Sequence, residues 1–265
     1  MTHRESVARA DRVAGAVVGS AVGDALGAPF EFGPAGVFTA RFPDGVGALC
    51  GGGGRDPGEA TDDTQMAVLV GESLLERGGP DLPDVFDRFR RWAAGGPKDI
   101  GLQTEDVLTH GDRAAWEGTA VFHELIRVAL AGEDPLAALP GTPAEVHADH
   151  RARWATVLAP DWHPGLATEF NGAVWPCLGT ALWALRTTDT FERALAAAVD
   201  VGGDTDTVAA VTGGLAGAVH GIGAVPARWT EPLHVPLPGY GDRRLTTGDL
   251  LTLAGRLDSE GPRSA

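Results

Sequence analysis

The amino-acid sequence predicts a single compact domain of α-helices in an orthogonal arrangement. Apolar residues recur at helical spacing along almost the whole chain, and the alternating apolar and polar runs typical of half-buried strands are missing. The chain has 265 residues, of which 43% are hydrophobic, and this is enough for one sizeable core. Its loops are rich in Gly and Pro, but none has the length or polarity of a linker between domains.

The apolar periodicity predicts the helices one by one. They cover residues 4–27, 62–77, 80–94, 114–130, 144–158, 174–186, 191–199, 206–220 and 247–257. The predicted helix at 80–94 shows the pattern clearly, because its apolar side chains lie on one face: Leu82, Val85, Phe86, Phe89 and Trp92. The domain is therefore expected to span residues 1–257, and residues 258–265 are expected to form a disordered tail.

Charge and cysteine content exclude several classes of protein. The chain has 36 Asp and Glu against 21 Lys and Arg, a formal net charge of −15, and such a surface repels the phosphate backbone of nucleic acids. An extended nucleic-acid surface is therefore excluded, although one small nucleotide is not. The two cysteines, Cys50 and Cys177, cannot form a disulfide scaffold or a cysteine-rich zinc site.

The sequence contains no uninterrupted apolar run of about 18 residues, so no transmembrane helix and no membrane partner are expected. Residues 13–23 are small and apolar and follow three arginines, so they could be the core of a signal peptide. Glu5 and Asp11 precede this segment and argue against that interpretation. A cytoplasmic location is expected.

Two predicted helices carry glycines on one face. They are Gly15, Gly19, Gly23 and Gly27 in the first helix and Gly213, Gly214, Gly217 and Gly221 in the late one. Each interior glycine costs about 1 kcal/mol of helix propensity relative to alanine. Close packing of two central helices against each other explains why glycines are present despite this cost. Such packing would also hold the groups at the helix ends in fixed positions.

Acidic residues accompany the ends of three predicted helices, at Asp24 with Glu31, Thr61-Asp-Asp-Thr64 and Gly202-Gly-Asp-Thr-Asp-Thr207. Each of the latter two, taken alone, is most simply a helix cap, because Thr and Asp are favoured at helix N-termini. Together they supply four carboxylates and four hydroxyls, and carboxylates that lie close together repel one another unless a cation is present. Such oxygen ligands suit Mg²⁺ or Mn²⁺, so two facing helix ends would form a dinuclear metal site.

Five short motifs follow one another along the chain. They are Gly19-Ser-Ala-Val-Gly-Asp-Ala-Leu-Gly-Ala-Pro-Phe-Glu31, Thr61-Asp-Asp-Thr-Gln-Met66, Pro97-Lys-Asp-Ile-Gly101, Leu108-Thr-His110 and Gly202-Gly-Asp-Thr-Asp-Thr-Val-Ala-Ala210. In this order the motifs resemble the ADP-ribosylglycohydrolase family, which includes dinitrogenase reductase-activating glycohydrolase. The resemblance covers most of the chain, and the pairing of the two Asp/Thr motifs is highly specific.

The resemblance implies an all-α hydrolase that binds two Mg²⁺ or Mn²⁺ ions. Such an enzyme cleaves the N- or O-glycosidic bond between ADP-ribose and a protein side chain, nucleobase or small molecule. The implied metal ligands are Thr61, Asp62, Asp63, Asp204, Asp206 and Thr207. Glu31 and Asp99 are the implied catalytic carboxylates. The candidate substrate-binding residues are His110, Asn171, Gly172, Gly202 and Gly203, and His110 is equally well explained as a packing residue.

One family segment is absent. In the family, a Gly-rich Asn-Gly-x-x-Met-Arg segment cradles the diphosphate, whereas Leu102-Gln-Thr-Glu-Asp-Val107 joins the neighbouring motifs directly here. Two alternatives therefore stay open: a degenerate member that keeps the metals and only binds a ligand, and a hydrolase of a smaller ribosyl substrate. The glycines at 51–54 with Arg55, and Asn171 with Gly172, are candidates to replace the lost contacts.

Three weaker patterns compete with this interpretation. Asp204-Thr-Asp-Thr207 also fits the nucleophile motif of haloacid dehalogenase-like phosphatases, but that motif ends a buried strand and an Ala-rich helix precedes it here. Trp162 and Trp175 could line a cleft for a base, although core or loop packing is the simpler interpretation. Finally, three irregularly spaced histidines are expected on the solvated surface rather than at a metal: His147, His150 and His163.

Overall fold

A computed structural model describes residues 7–45, 47–100, 113–139 and 146–260, and it confirms the all-α class as one helical domain. The α-helices in these ranges are α1 (Arg9–Gly27), α2 (Val37–Arg41), α3 (Asp62–Arg77), α4 (Leu82–Ala94), α5 (Arg113–Leu130), α6 (Pro135–Ala138), α7 (Arg151–Val157), α8 (Val174–Thr187), α9 (Phe191–Asp200), α10 (Thr205–His220), α11 (Ala227–Thr230) and α12 (Thr247–Glu260). Two short strands, β1 (His234–Pro236) and β2 (Arg244–Thr246), form an antiparallel pair.

Helices α1 and α10 form the centre of the fold, and their glycines are in contact as predicted. The two helices run antiparallel, because Gly15 faces Gly217 whereas Gly23 faces Ala209. A Cβ atom added to Gly23 would lie 2.0 Å from the Ala209 carbonyl oxygen. Only residues without a side chain permit this approach, so the contact holds the C-terminal end of α1 beside the N-terminus of α10.

The remaining core surrounds this pair. Helices α8 and α9 pack on α10, and α12 packs on α1. Fully buried apolar side chains from four helices fill the space between them, among them Leu26, Leu182, Phe191, Leu195 and Leu215. Burial of each such side chain contributes about 1.5–3 kcal/mol to folding, so the ends of α1 and α10 are attached to a rigid core.

The segment Arg9–Phe30 is long and apolar enough to cross a membrane by length and composition alone. In the fold, 72% of its apolar window is buried inside the protein. The apolar residues that could suggest a signal peptide therefore form the central core helix.

The predicted helix at 144–158 is too long. The structure contains only α7 from Arg151, preceded by a 3₁₀ turn, while residues 140–145 lie outside the described ranges. The reason is a tertiary contact: the Glu117 carboxylate accepts a hydrogen bond from the His147 backbone N–H at 3.0 Å and contacts the His150 ring nitrogen Nδ1 at 2.8 Å. These contacts hold the chain in a turn where periodicity predicts a helix.

The sequence prediction also missed short elements and misplaced the last helix end. Strands β1 and β2 have three residues each, too few for an alternating pattern. Helix α12 continues to Glu260, so the predicted tail is wrong for residues 258–260. Ion pairs between Arg9 and Asp258 and between Arg256 and Glu260 secure this last turn, and residues 261–265 lie outside the described ranges.

Candidate active site

The N-terminus of α3 is held by a carboxylate from α1. Fully buried Asp24 accepts hydrogen bonds from the backbone N–H groups of Thr61 at 2.9 Å and Thr64 at 3.1 Å, and from the Thr64 hydroxyl. Burial raises the pKa of Asp24 to about 6, although these hydrogen bonds oppose the shift. Because Asp24 and Thr61 cap α3, simple capping does not explain the pair Asp62 and Asp63. The sequence placed Asp24 among the acidic residues but gave it no role.

The N-terminus of α10 begins at Asp204, whose side chain makes no capping hydrogen bond among the described residues. The backbone N–H of Asp204 donates instead to the Asn171 side-chain oxygen at 3.0 Å, and the Asn171 amide donates to the Gly202 carbonyl at 2.8 Å. The Thr205 hydroxyl donates to the Gly27 carbonyl at 2.9 Å and joins this loop to α1. The cap interpretation therefore fails for Asp204, whose carboxylate points into a shared site.

Three glycines shape the loop around Asp204. Gly202 and Gly203 both have positive φ, 75° and 76°, in the left-handed region that disfavours side chains. At Gly172, an added Cβ would lie 2.1 Å from the Asp204 carboxylate oxygen Oδ2. Four of the five predicted substrate-binding residues thus lie together, in contact with the predicted metal ligand Asp204: Asn171, Gly172, Gly202 and Gly203.

The carboxylates of Glu31, Asp204 and Asp206 converge, with ligand oxygens that all lie within 4.8 Å of one another. Asp63 joins them from α3, since the Thr207 side chain of α10 donates a hydrogen bond to it. The structure therefore brings together the ends of α1, α3 and α10, and the carboxylates of Glu31, Asp63, Asp204 and Asp206 form one acidic cluster. Because its carboxylate oxygens lie this close to those of two predicted metal ligands, Glu31 is also a candidate ligand, whereas the sequence had placed it on the substrate side.

Electrostatics of the cluster favour a cation. Burial and the carboxylates of Asp99 and Asp204 raise the pKa of Glu31 to about 7. Burial, followed by Asp63 and Glu31, raises the pKa of Asp206 to about 10. The pKa of Asp63 is raised as well, by burial first and then by the carboxylates around it. A bound cation stabilises the ionised form of buried carboxylates that lie close together, and their hard oxygen donors suit Mg²⁺ or Mn²⁺.

Cys177 on α8 lies near this cluster, and the sequence gave no signal of its position. Burial first, and then the nearby carboxylates of Asp204, Asp63 and Asp206, raise the pKa of its thiol far above the usual range. A protonated thiol is a poor metal ligand. Among the described residues of the cluster, the donors that remain for a cation are oxygen atoms.

Comparison with known proteins decides the family. The family model for ADP-ribosylglycohydrolase matches residues 5–108 and 105–264. The chain belongs to the ADP-ribosylglycohydrolase family. The two matched segments meet at residues 105–108, where the sequence lacks the Asn-Gly-x-x-Met-Arg segment.

Two curated relatives are similar to this chain along most of its length. An ADP-ribosyl-[dinitrogen reductase] glycohydrolase of Rhodospirillum rubrum is 28% identical, in an alignment that covers 92% of this chain and 97% of the relative. The ADP-ribosylarginine hydrolase Tri1 of Serratia proteamaculans is 29% identical over 84% of this chain and 75% of the relative.

A solved structure described as an ADP-ribosylglycohydrolase-related protein complex has the same fold. It aligns with a TM-score of 0.73 and 34% identity, over 95% of this chain and 98% of that chain.

Asp99, the second predicted catalytic residue, lies at the edge of the acidic cluster. Its carboxylate is 43% exposed and 3.5 Å from the guanidinium of Arg55, a side chain that is itself buried. The neighbouring Lys98 forms an ion pair with Glu59 and donates to the Gly54 carbonyl. Arg55 and the 51–54 glycines thus lie beside the predicted catalytic residue, while His110 lies outside the described residues.

The remaining candidates are core and surface residues. Trp162 is buried and packs against the position of Gly179. It lines a small cavity of about 140 Å³, and no residue of the acidic cluster lines that cavity. The Trp175 ring lies under the Arg153 guanidinium, 3.8 Å from its centroid. His150 is paired with Glu117, as described above, and no three-residue ligand group in the described ranges contains a surface histidine from 147–163.

Proposed function

We propose that this protein is a metal-dependent hydrolase of the N- or O-glycosidic bond between ADP-ribose and a modified protein side chain, nucleobase or small molecule. The observation that carries the proposal is the convergence of Glu31, Asp63, Asp204 and Asp206 at the joined ends of three helices. The relatives named for dinitrogen reductase and ADP-ribosylarginine favour a modified protein as the substrate. We further propose a cytoplasmic location.

Two Mg²⁺ or Mn²⁺ ions would be held by the oxygens of the two Asp/Thr motifs. The proposed ligands are Thr61, Asp62, Asp63, Asp204, Asp206 and Thr207, with Glu31 within reach of the same place. The donor set fits these ions, because carboxylates with strongly raised pKa values gain most from a cation. When bound, the ions supply Lewis-acid polarisation of oxygen groups on the ribose and on water.

The proposed reaction replaces the acceptor on the anomeric carbon of the distal ribose by the oxygen of water. The bond between this carbon and the acceptor breaks, and the acceptor leaves with a proton. A carboxyl group whose pKa lies near 7 exchanges protons readily at neutral pH, so Glu31 is the first candidate for this acid–base role. Asp99, positioned by Arg55 at the edge of the cluster, is the second.

A second candidate function follows from the missing phosphate-binding segment. Loss of two or three charge-assisted hydrogen bonds to the diphosphate, each worth about 1.5–3 kcal/mol, would weaken ADP-ribose binding by about 1,000-fold or more. The protein would then bind a ligand without turnover, or hydrolyse a smaller ribosyl compound held mainly through the distal ribose. The contrast between binding of ADP-ribose and of plain ribose ligands separates these outcomes.

The test is a panel of ADP-ribosyl substrates linked through Arg, Ser, acetyl or a nucleobase, with release of ADP-ribose as the measured product. Activity is expected to disappear with EDTA and to return with Mg²⁺ or Mn²⁺. Asp206→Asn should lose both bound metal and activity, whereas Asp87→Asn, on the exposed face of α4, should lose neither. Full metal content and turnover in Asp206→Asn would refute the metal assignment, and metal binding without turnover of any substrate would favour the binding function.

Calorimetry with ADP-ribose in saturating Mn²⁺ complements this panel. Weak binding is expected, and low-micromolar binding would show that another loop replaces the missing segment.

A further inference from the structure

Three candidate metal ligands lie together at a cavity that is separate from the acidic cluster. The side chains of Asp56, Glu59 and His234 each place one ligand atom within 4.8 Å of the other two. The three residues line a cavity of about 500 Å³, and no residue of the acidic cluster lines it. None of the three belongs to the motifs that carry the family resemblance.

His234 has one ring nitrogen that is free to bind a metal. The residue is 7% exposed, and its Nδ1 lies 3.0 Å from the carbonyl oxygen of Pro232. A carbonyl oxygen only accepts hydrogen bonds, so Nδ1 carries the proton and Nε2 keeps its lone pair. No hydrogen bond from the described residues occupies Nε2. A metal-bound histidine usually has this arrangement, in which the second nitrogen donates to a carbonyl or carboxylate.

The backbone holds His234 against the loop that carries the two carboxylates. The His234 N–H donates to the Gly58 carbonyl at 2.8 Å, and the His234 carbonyl accepts from the Ala60 N–H at 2.9 Å. Glu59 and His234 therefore face each other in a β-bridge. Within the loop, the backbone N–H of Asp56 donates to the Glu59 carboxylate at 3.0 Å. The three donors are thus positioned by the fold, as a specific metal site requires.

A cationic side chain already contacts the buried carboxylate. Lys98 Nζ lies 2.8 Å from each carboxylate oxygen of Glu59, whose side chain is 5% exposed. The Lys98 side chain is 51% exposed, so it can move into water at small cost. The Asp56 carboxylate is exposed and has no partner among the described residues. The ammonium therefore neutralises one of two carboxylates and leaves the imidazole unused, whereas a divalent ion would bind all three groups.

The other charged residues of the cavity wall leave the site open to a cation. Arg243 and Arg244 line the cavity but are exposed, and Arg243 is paired with Glu72. Asp242, on the same wall, adds negative charge.

The donor set distinguishes this site from the acidic cluster. Mg²⁺ prefers oxygen ligands, whereas an imidazole nitrogen favours Zn²⁺ and other first-row divalent ions. Three protein ligands leave one position on a zinc ion for water. We infer that Asp56, Glu59 and His234 bind one Zn²⁺ ion, which displaces Lys98 and cross-links the loop before α3 to β1. The inference does not depend on the proposed hydrolase function.

The test is a calorimetric titration of the dialysed protein with Zn²⁺ in excess Mg²⁺, with the bound zinc counted by elemental analysis. Asp56→Asn and His234→Gln should each raise the Kd for zinc by about 100-fold or more, because loss of an outer partner alone costs 10–100-fold. Asp242→Asn removes a carboxylate of the same cavity wall and is the matched control, with an expected change of less than twofold. Lys98→Met should tighten binding by about 2–5-fold, because it removes the competing ion pair.

The same titration in the Asp206→Asn protein separates this site from the acidic cluster. Zinc binding should persist there, and its loss would place the ion in the cluster and overturn the inference. Wild-type affinity in folded Asp56→Asn or His234→Gln would overturn it, as would a wild-type protein that binds no zinc in excess Mg²⁺. Melting curves without metal check folding, and the exposed Asp56 variant decides the result if His234→Gln does not fold. A Lys98→Met variant that binds zinc no more tightly than wild type would refute the displacement of Lys98.

Discussion

Substitution of Gly23 by alanine tests whether the close contact of α1 and α10 builds the site. The added Cβ would lie 2.0 Å from the Ala209 carbonyl oxygen, so the helices must separate by about 1.4 Å to reach the 3.4 Å of ordinary contact. The obstacle is backbone, and no rotamer change relieves it. Overpacking of this kind costs about 3 kcal/mol, offset by about 1 kcal/mol of helix propensity gained by alanine.

The net loss of about 2 kcal/mol should lower the melting temperature by about 4–8 °C. The site should respond as well, because Asp206 lies less than one turn from Ala209 and metal ligands tolerate displacements of only about 0.5 Å. We expect the affinity for Mn²⁺ to fall by tenfold or more. Circular dichroism during heating and calorimetric titration with Mn²⁺ measure the two effects.

Two other glycines provide a graded control. Gly255 in α12 has open space where its Cβ would stand, so Gly255→Ala should raise the melting temperature by about 1–4 °C. In Gly214→Ala the closest atom to the added Cβ would be the tip of the Phe122 ring at 3.3 Å, with Ser20 and Ala16 at ordinary contact distances, and this change should be nearly neutral. The reasoning is refuted if Gly23→Ala keeps both the melting temperature and the Mn²⁺ affinity of the wild type.

Three further predictions concern the carboxylates. Asp24→Asn should lower the free energy of unfolding by about 2–3 kcal/mol and weaken Mn²⁺ binding, because a buried carboxylate that accepts bonds from Thr61 and Thr64 is lost. The exposed cap variant Asp81→Asn should cost less than about 0.5 kcal/mol in the same urea titration. Glu31→Gln should lower kcat by about 100-fold or more in a single-turnover assay; loss of Mn²⁺ at the same time would make Glu31 a ligand instead. Finally, an acid whose pKa is raised by folding stabilises the protein only while it is protonated. The free energy of unfolding of the metal-free form should therefore fall as the pH rises from about 4, through the Glu31 pKa of about 7, toward the Asp206 pKa of about 10. The increase in melting temperature caused by Mn²⁺ should therefore be larger at pH 8 than at pH 6, and an equal increase at both would contradict the assigned pKa directions.

Local sequence patterns predicted the features that depend on local chemistry. The apolar period and glycine spacing of residues 9–27 were sufficient for α1 and for its close packing against another helix. Both helix starts at the Asp/Thr motifs were placed within one residue, because Thr61 and Asp204 are typical N-terminal residues. The helix ends near 258 and 144 were misplaced, because ion pairs and the Glu117 contacts come from elsewhere in the chain.

The arrangement of the site depended on contacts that no local pattern contains. The role of Asp24 appears only when α3 is placed against α1, and Cys177 reaches the cluster only because α8 packs on α10. The stacking of Phe32 on Phe170 joins residues that are far apart in sequence. Family resemblance supplied the grouping of the predicted metal ligands, whereas the structure supplied the reason: antiparallel glycine packing brings the end of one helix to the start of another.

The distance along the chain between the two central helices has a consequence for synthesis. The hydrogen bond from Thr205 to Gly27 closes a loop of 178 residues, and at about 5–20 residues per second a ribosome needs about 10–40 s to make the intervening chain. Throughout this interval α1, an apolar helix with the composition of a membrane span, lacks α10, the helix that covers its glycine face. We therefore expect chaperones that shield apolar segments of nascent chains to raise the yield of this protein, and a slower ribosome to lengthen the time for which its central helix is exposed to aggregation.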